Sequence, residues 1–336
     1  EIKPLPSSSK FLPFNQEFEI ARNTLIQQGY SECYSSSLVS NKEELNSFVH
    51  SQLEGFDSVK MLNPLSAECS ELRTSLLDNL LKAASRNFKR KQNNCKLFEL
   101  GKVYGFDASV ERSDEKETQA IEKETLCFIN SQKSLEVNWQ GNKDNAVNFF
   151  QLKAISEKLF EKRGKLEFEA LENANSLKLL HPKVSAKIKF NGKEIGFIGQ
   201  LHPIICKKYE LPENTFVTEI IIEALIQSAK KVKIKSLNDH PVLHRDFTID
   251  IDGHEESGLI HSIIEKRVQK IKLPDLKEVK FLSHFKQAQS NRTSLSYRLV
   301  FQSDEGKQLL GEVINTKISN LKETFQKEFA GVSFRE

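Results

Sequence analysis

Two histidines that stand beside prolines are the first candidates for metal chemistry in this chain. His181 precedes Pro182 and His202 precedes Pro203. A protein metal site draws Cys, His, Asp or Glu ligands from short, recurring spacings. No carboxylate or cysteine partner stands at ligand spacing from either histidine. We therefore interpret both as structural residues, and metal binding is the less favoured alternative.

Five cysteines could supply thiol chemistry, namely Cys33, Cys69, Cys95, Cys127 and Cys206. Their number is odd, their spacings are wide, and no C-x-x-C pair occurs. This pattern favours reduced thiols over a disulfide framework or a zinc site. The sequence also carries no P-loop and no nucleophile elbow. The motifs of common catalytic centres are therefore missing.

Composition is typical of a soluble globular protein. Of 336 residues, 38% are hydrophobic and 28% are charged, and at roughly 100–200 residues per domain the length predicts two domains. The net charge of +3 is too small to indicate nucleic acid by itself, so any RNA contact must rest on local patches. No apolar run approaches the roughly 18 residues of a membrane span. The start, Glu1-Ile2-Lys3-Pro4, has neither an initiator Met nor a signal peptide, so we expect a piece of a longer chain.

The stretch from residue 61 to residue 104 predicts a turn, a helix and a strand in succession. Asn63-Pro64 indicates the turn, because proline pushes the preceding residue out of the helical region. Apolar residues then recur at helical spacing at Leu76, Leu77, Leu80, Leu81, Ala84 and Phe88. Lys89, Arg90 and Lys91 follow, where cations suit the negative end of a helix dipole. Residues 97–104 read as the strand.

The elements around this stretch alternate between helices and strands. An apolar stripe predicts a helix over residues 14–26, and Tyr30, Glu32 and Tyr34 alternate as in a strand. Residues 41–60 predict a short helix and a strand, residues 107–125 a polar loop or hairpin tip, and residues 126–129 a new strand. A second stripe predicts a helix over residues 149–160. Asn191-Gly192 between alternating segments predicts a β-hairpin.

The last third of the chain predicts a separate domain. Residues 228–239 are rich in Lys and poor in apolar residues, which indicates a linker. From residue 240 the patterns read strand, helix, strand, strand, helix, strand, the ferredoxin-like βαββαβ order. The first helix is marked by Leu259, Ile263, Ile264 and Val268, and the second by the apolar stripe of residues 309–329. This order predicts two helices on one face of an antiparallel sheet, with the other face open.

Several separated segments of the sequence resemble segments of one protein family and occur in the same order as in that family. They are "NPLS", "LRTSLL", "LFELGKVY", "NFFQLKAISEKLF", "GKEIGFIGQLHP", "HPVLHRDFTIDID" and the final "SFRE". Together they resemble the bacterial phenylalanyl-tRNA synthetase β subunit. The resemblance implies an α+β fold, with a class II synthetase-like module in residues 1–227 and a ferredoxin-fold anticodon-binding domain in residues 240–336. The helix and strand of residues 14–34 would then resemble the first class II motif, which builds the subunit interface.

This resemblance also implies a role and partners. The β chain scaffolds a separate catalytic α chain and grips the anticodon arm of the phenylalanine tRNA, in a cytoplasmic heterotetramer of two α and two β chains. The whole enzyme uses ATP and Mg²⁺ to activate phenylalanine.

The catalytic arginines of the family are missing from this sequence. Gly105-Phe106 follows Tyr104, where the family's catalytic chain supplies an arginine for the ATP phosphates, and the glycine-rich third motif ending in arginine is absent. The family's editing domain and its magnesium-binding acidic cluster lie upstream of these residues. We therefore expect no catalytic, editing or metal-binding residue here.

Four residues match anticodon-contact positions of the family, namely Thr248, His284, Ser294 and Arg335. His284 stands where the family tyrosine stacks on a base, and Leu282 replaces an aspartate that accepts a hydrogen bond from a base. Residues 240–336 hold 15 Lys and Arg against 14 Asp and Glu, so RNA contacts there must be local. The alternative for Thr248, Ser294 and Arg335 is that they are plain solvent-facing strand residues.

Two other functions stay open at this level. A stand-alone, non-catalytic RNA-binding or scaffold protein could carry both domains without an α partner. A self-sufficient small-molecule ligase is weaker, because the missing arginines argue against it.

Overall fold

The chain forms two compact units, residues 1–232 and residues 233–336. The computed structural model describes residues 13–40, 56–92, 94–107, 120–132, 147–171, 179–226, 240–252, 275–286, 292–303, 311–328 and 332–335. The expected helix within residues 41–55, the linker of residues 228–239 and the helix marked by Leu259 and Val268 lie outside these described residues. None of the helices in the described part is both long and apolar enough to cross a membrane.

Unit 1 is built on an eight-stranded sheet of mixed α+β architecture. Its helices are α1 (Pro13–Gln27), α2 (Leu77–Lys89), α3 (Phe149–Phe160), α4 (Pro203–Tyr209) and α5 (Glu223–Ile226). Its strands are β1 (Ser31–Glu32), β2 (Leu38–Val39), β3 (Phe56–Asp57), β4 (Glu71–Leu72), β5 (Asn94–Asp107), β6 (Ala120–Gln132), β7 (Glu167–Ala170), β8 (Leu180–Phe190), β9 (Lys193–Leu201) and β10 (Thr215–Ile221). The sheet order is β1-β5-β6-β10-β9-β8-β7, with β3 also paired to β5, while β2 and β4 form a separate two-stranded sheet.

Hydrophobic cores cover both faces of the large sheet. On one face, α1, α3 and α5 bury Leu25, Leu152 and Leu225 against strand residues such as Phe128. On the other face, α2 and α4 bury a second set that includes Leu80 and Ile205. Because alternate residues of each strand point to opposite faces, a strand between two helical layers is apolar on both sides. This explains the nearly continuous apolar run of residues 126–129.

Two local sequence signals are confirmed. The helix expected from the leucine periodicity is α2, and Arg86 and Lys89 occupy its last turn. The Asn191-Gly192 hairpin joins β8 to β9, with φ of 51° and 77° at the two turn residues. Both values lie in the left-handed region that Asn and Gly tolerate, so the turn type follows from the residue types.

Of the two predicted alternatives for residues 107–125, a loop or a hairpin tip, the structure supports the hairpin, but with bounds that differ from the prediction. β6 begins at Ala120, and its register with β5 pairs Phe106 with Ala120. Glu122 and Lys123 therefore belong to a strand although they are polar. The alternation failed as a signal because the start of β6 is polar and only partly buried, so no apolar face marks it.

A buried ion pair fastens the segment after β1 to the sheet. Arg73 Nη1 lies 2.6 Å from Glu99 Oε1, and the two side chains are 5% and 1% exposed. Ser35 completes the cluster, since its Oγ lies 2.7 Å from Glu99 Oε2 and 3.0 Å from Arg73 Nη1. Arg73 Nε also donates to the carbonyl of Lys102 at 2.9 Å. Each charge is therefore hydrogen-bonded as well as paired, which burial requires.

Gly101 makes room for this arginine. A Cβ atom at position 101 would stand 2.5 Å from Arg73 Nη2, far inside van der Waals contact. The glycine inside the predicted strand thus marks a close approach of a side chain to the backbone.

A second buried carboxylate holds the start of α2. Glu219 Oε2 accepts from Ser75 Oγ at 2.6 Å, and Glu219 Oε1 accepts from the Leu76 amide at 3.2 Å. Burial raises the pKa of Glu219 to about 7, although these hydrogen bonds oppose the shift. Leu76, the N-cap of α2, makes no capping hydrogen bond with its own side chain. Glu219, 143 positions away in the sequence, instead accepts from the Leu76 amide at the helix start.

Unit 2 is a four-stranded antiparallel sheet with one described helix. Its strands are β11 (Leu243–Asp252), β12 (Leu276–Lys286), β13 (Arg292–Phe301) and β14 (Val332–Arg335), in the order β12-β13-β11-β14, and its helix is α6 (Gly311–Glu328). Ile314, Ile318 and Leu321 of α6 pack on Ile249 and Tyr297 of the sheet. The core therefore lies on one face of this sheet.

Removing one partner of the Arg73–Glu99 pair should be strongly destabilising. Glu99→Gln leaves the guanidinium buried beside a neutral amide, and we expect a loss of about 3–5 kcal/mol in the free energy of unfolding, measured by urea titration. The double variant Arg73→Met, Glu99→Leu should regain most of that loss. Glu122→Gln is the matched control, because it breaks the Lys102–Glu122 pair, whose side chains are 46% and 54% exposed, and should cost less than about 1 kcal/mol. A Glu99→Gln cost as small as the control would contradict the role of the pair.

Glu219 should make unit 1 less stable as pH rises. Its carboxyl has a higher pKa in the folded chain, about 7, than its ordinary value of 4.5, so the folded chain binds more protons between these values and stability falls from pH 4.5 to pH 7. Glu219→Gln should remove this slope and be at least as stable as the parent at pH 8, because the amide can accept from Leu76 and donate to Ser75. Urea titrations of both proteins at pH 5, 6, 7 and 8 measure the free energy of unfolding. An unchanged pH slope in the variant would refute the assignment.

Candidate nucleic-acid interface

The face of the unit 2 sheet away from its core carries rows of polar side chains that run across the strands. One row is Phe285 on β12, Ser294 on β13 and Asp250 on β11, which are successive partners in the strand register. The next row is Ser283, Ser296 and Thr248, with position 335 of β14 paired to Thr248. Directly opposite residues share a face at about 5 Å between Cβ atoms, so these rows form one continuous surface. We call it the open face.

Hydrogen bonds organise the hydroxyl groups of the open face. Thr248 Oγ1 and Ser296 Oγ lie 3.0 Å apart, and Ser294 Oγ donates to Asp250 Oδ1 at 2.5 Å. Ser294 is buried, at 5% exposure, whereas Thr248, Asp250 and Ser296 are half-buried, and the oxygens of these three have further lone pairs that a ligand can use. The predicted residues Thr248 and Ser294, with the position of Arg335, are therefore brought together.

His284 does not share this face. It is paired with Leu295, whose side chain is 1% exposed in the core. The cause is a bulge between Phe281 and Ser283, which inserts Leu282 into β12. Regular alternation from Phe281 would put His284 on the open face, and one extra residue moves it to the other side. The register thus separates His284 from the row of Thr248 and Ser294, and its contact with RNA stays a prediction.

Phe285 takes the place on the open face that sequence reasoning gave to His284. Its side chain is 62% exposed, beside Leu282 at 44%. A large aromatic ring exposed next to hydrogen-bonding groups is a typical stacking platform for an unpaired base. No signal in the sequence marks the bulge, so Phe285 could not be chosen over His284 without the register.

The open face carries one bidentate ion pair. Arg298 donates from Nε and Nη2 to the two carboxylate oxygens of Asp246, at 2.8 Å and 2.7 Å. These hydrogen bonds hold the pKa of Asp246 below its ordinary value. A face with a neutralised ion pair, hydroxyls and an aromatic ring suits base edges better than a phosphate backbone.

The sheet of unit 1 does not fit a nucleoside triphosphate in the described residues. On the face covered by α2, the strand register aligns Glu99, Cys127 and Glu219 across β5, β6 and β10. A polyphosphate there would meet two carboxylates, and Arg73 is already bound to Glu99. In the described part of the chain, no group of three or more His, Cys, Asp or Glu comes together that could hold a metal ion.

Both candidate histidines have structural contacts. His202 caps α4, where its Nδ1 accepts from the Ile204 amide at 3.2 Å. His181 Nδ1 accepts from the Lys183 amide at 3.2 Å. Each histidine thus closes a local turn at its proline, in line with the structural interpretation. The five cysteines are free thiols.

Comparison with known proteins identifies relatives over most of the chain. The family model described as the phenylalanyl tRNA synthetase beta chain CLM domain matches residues 5–222. The phenylalanine–tRNA ligase beta subunit of Carboxydothermus hydrogenoformans is 31% identical over 310 residues, which are 90% of this chain and 36% of that protein. Those of Listeria innocua and Geobacillus kaustophilus are 29% and 30% identical over 93% and 83% of this chain, and 37% and 33% of theirs. The chain thus spans about a third of the length of these relatives.

Among solved structures, two structures of pyrrolysyl-tRNA synthetase are similar to part of this chain. A pyrrolysyl tRNA synthetase from Desulfitobacterium hafniense matches at 14% identity with a TM-score of 0.42, over 66% of this chain and 73% of that one. A second structure of the enzyme from the same organism gives 14% and 0.43, over 63% and 67%. This likeness is too weak to assign the fold. The family model and the curated relatives do establish descent, and the chain belongs to the phenylalanyl-tRNA synthetase beta chain family.

Proposed function

We propose that this chain is the C-terminal part of the β subunit of a phenylalanine–tRNA ligase. Unit 1 scaffolds the catalytic α chain, and the open face of unit 2 binds the anticodon arm of the phenylalanine tRNA. The observation that carries the RNA role is the exposed Phe285 ring, one strand from Ser294 and two from Asp250. Neighbouring strands are about 4.8 Å apart, so a base stacked on Phe285 can reach the polar groups on β13 and β11.

We also propose a fold family for each of the two parts of the chain. Residues 1–227 would be a degenerate class II synthetase module, and residues 240–336 a ferredoxin-fold domain. The strand order β12-β13-β11-β14 supports the second assignment, because a βαββαβ chain with its first and third strands in the centre gives this order.

The whole enzyme would use ATP, Mg²⁺ and phenylalanine in a cytoplasmic heterotetramer of two α and two β chains. ATP and Mg²⁺ would bind outside these residues, since the buried carboxylates Glu99 and Glu219 do not suit a polyphosphate. In this division of labour the residues described here position partners and take no chemical step. A stand-alone scaffold protein is the less favoured alternative, because the match to β subunits extends over most of the chain.

Loss of the Phe285 ring should weaken RNA binding while loss of the neighbouring His284 ring should not. Stacking on an aromatic side chain contributes about 1–3 kcal/mol per base, so Phe285→Leu should raise the Kd for a labelled anticodon stem-loop of the phenylalanine tRNA by at least about fivefold. His284→Leu is the matched control on the other face and should change the Kd by less than about twofold. Fluorescence anisotropy measures both. The reverse order of effects would restore His284 as the stacking residue.

Two exposed leucines in one loop offer an anchor for the α chain. Leu62 and Leu65 are each 98% exposed, although leucine favours burial by about 1.5–3 kcal/mol. Replacing both with Ser should weaken capture of this chain by the immobilised α chain at least about tenfold, with no loss of thermal stability. Ile204→Ser, at another apolar side chain that is 69% exposed, is the control. Equal capture of all three proteins would contradict this docking site.

A further inference from the structure

The solvent-facing side of α2 carries a row of cations. Of the 13 residues of this helix, all of which the structure describes, the exposed ones are Lys82, Arg86 and Lys89. Spacings of four and three residues put these three side chains on one side of a helix. Two more exposed cations, Arg90 and Lys91, follow in the turn that ends α2. We call these five side chains the cationic stripe.

The cationic stripe concentrates positive charge far above the average of the chain. Residues 82–91 contain five Lys and Arg and no Asp or Glu, which is a net charge of +5, whereas the whole chain of 336 residues has +3. Two carboxylates lie next to the stripe. Lys82 Nζ is 2.7 Å from Asp78 Oδ2, and Lys89 Nζ is 2.7 Å from Glu210 Oε1. The two lysines are 44% and 57% exposed in these pairs, so solvent screens the pairs and a phosphate can compete for the ammonium groups.

Two further cations on α4 lie in the same layer of unit 1. Lys207 and Lys208 are exposed in the last turn of this helix. α4 shares a hydrophobic core with α2, and Tyr209 Oη donates to Asp78 Oδ1 in the first turn of α2. Lys208 Nζ is 6.0 Å from the centre of the Tyr209 ring. The positive field of the stripe therefore extends onto the neighbouring helix.

Helix stability explains only part of the cationic stripe. Cations in the last turn suit the negative end of the helix dipole, which accounts for Arg86 and Lys89. Lys82 lies seven residues before the end of α2, where the effect of the dipole has fallen off. Lys91 has a φ of 65°, in the left-handed region that Gly or Asn usually occupies after a helix. A cation stands there although its side chain does not favour this backbone, which points to a role beyond folding.

The chemistry of this side of α2 favours a nucleic acid over a protein partner. Protein interfaces bury an apolar or aromatic centre, and no apolar residue of α2 is exposed. A nucleic-acid double helix carries about one negative charge per 1.7 Å of its axis. At about 1.5 Å per residue, the stripe from Lys82 to Lys89 is roughly 10 Å long and faces several phosphates. Arg86 and Arg90 add planar groups that can donate two parallel hydrogen bonds to phosphate oxygens.

We propose that the cationic stripe binds the phosphate backbone of double-helical RNA. The identity of that RNA rests on the proposed function, which makes it an arm of the phenylalanine tRNA. The contact is independent of base sequence, since phosphates carry none. It lies wholly in unit 1 and adds an electrostatic contact to the base contacts proposed for unit 2.

Removing three cations of the stripe tests the proposal through the salt dependence of binding. The variant Arg86→Gln, Arg90→Gln, Lys91→Gln spares the two ion-paired lysines, so folding should be preserved. A short labelled RNA duplex without a loop is titrated with the full chain between about 50 and 200 mM KCl, and fluorescence anisotropy gives the Kd. We expect the Kd at the lowest salt to rise at least about tenfold. The slope of log Kd against log salt should fall by about one for each lost cation.

A matched control removes the same charge from the other side of the sheet. Lys158, Lys162 and Lys165 are exposed at the end of α3 and in the turn after it, and α3 packs on the opposite face of the sheet from α2. Replacing all three with Gln should change the Kd for the duplex less than about threefold and leave the salt slope nearly unchanged. Phe285→Leu should leave the Kd for the duplex unchanged, because a duplex offers no unpaired base to stack.

Four results would overturn the proposal. They are no saturable binding of the duplex at the lowest salt, a salt slope that the stripe variant does not change, equal losses in the stripe and control variants, and binding of poly-L-glutamate as tight as that of the duplex. The last result would make an acidic protein segment the ligand. The anticodon stem-loop assay with Phe285→Leu reads unit 2, so failure of the stripe and failure of the proposed function can be told apart.

Discussion

The Arg73–Glu99 ion pair is the interaction on which the arrangement of unit 1 depends. It joins three parts of the chain that are far apart in sequence, since Ser35 follows β1, Arg73 precedes α2, and Glu99 lies in β5. Two charges taken out of water are costly unless every polar atom finds a partner. The serine hydroxyl, the backbone of Lys102 and the space left by Gly101 supply those partners. The cluster thereby holds in one position the segment after β1 that carries Ser35, which has little apolar surface.

The cluster around Arg73 and Glu99 also decides whether the sheet of unit 1 can bind phosphates. A class of enzymes that activates amino acids needs free arginines over a sheet to receive phosphates, whereas here the arginine is bound to a carboxylate in the protein interior. Glu219 is a second buried acid on that face, and its carboxylate accepts hydrogen bonds from Ser75 and Leu76 at the start of α2. The face is filled by the chain's own side chains. The buried carboxylates there contact other parts of the same chain, in line with the scaffolding role proposed for unit 1.

The parts of the fold that local physics decides could be predicted from the sequence. The leucine stripe of α2, the Asn-Gly hairpin and the alternation in β11 and β13 each reflect one buried face, and the structure has them. What could not be predicted depends on contacts between distant residues or on a single inserted residue. Glu219 reads as an ordinary strand residue until the fold brings Ser75 to it. Leu282 reads as one more strand position, but its bulge exchanges the faces of His284 and Phe285.

The bulge also bears on the proposed binding of RNA by a nearly neutral unit. A phosphate-directed site needs many unpaired cations, and its affinity falls steeply with salt. On the open face Arg298 is paired with Asp246, and an aromatic ring lies beside hydroxyls and a carboxylate. Stacking on an aromatic ring and hydrogen bonds to base edges add contacts that need no unpaired cation. Because the inserted residue Leu282 decides which face each later residue of β12 joins, it places the exposed Phe285 ring in one row with Ser294 and Asp250.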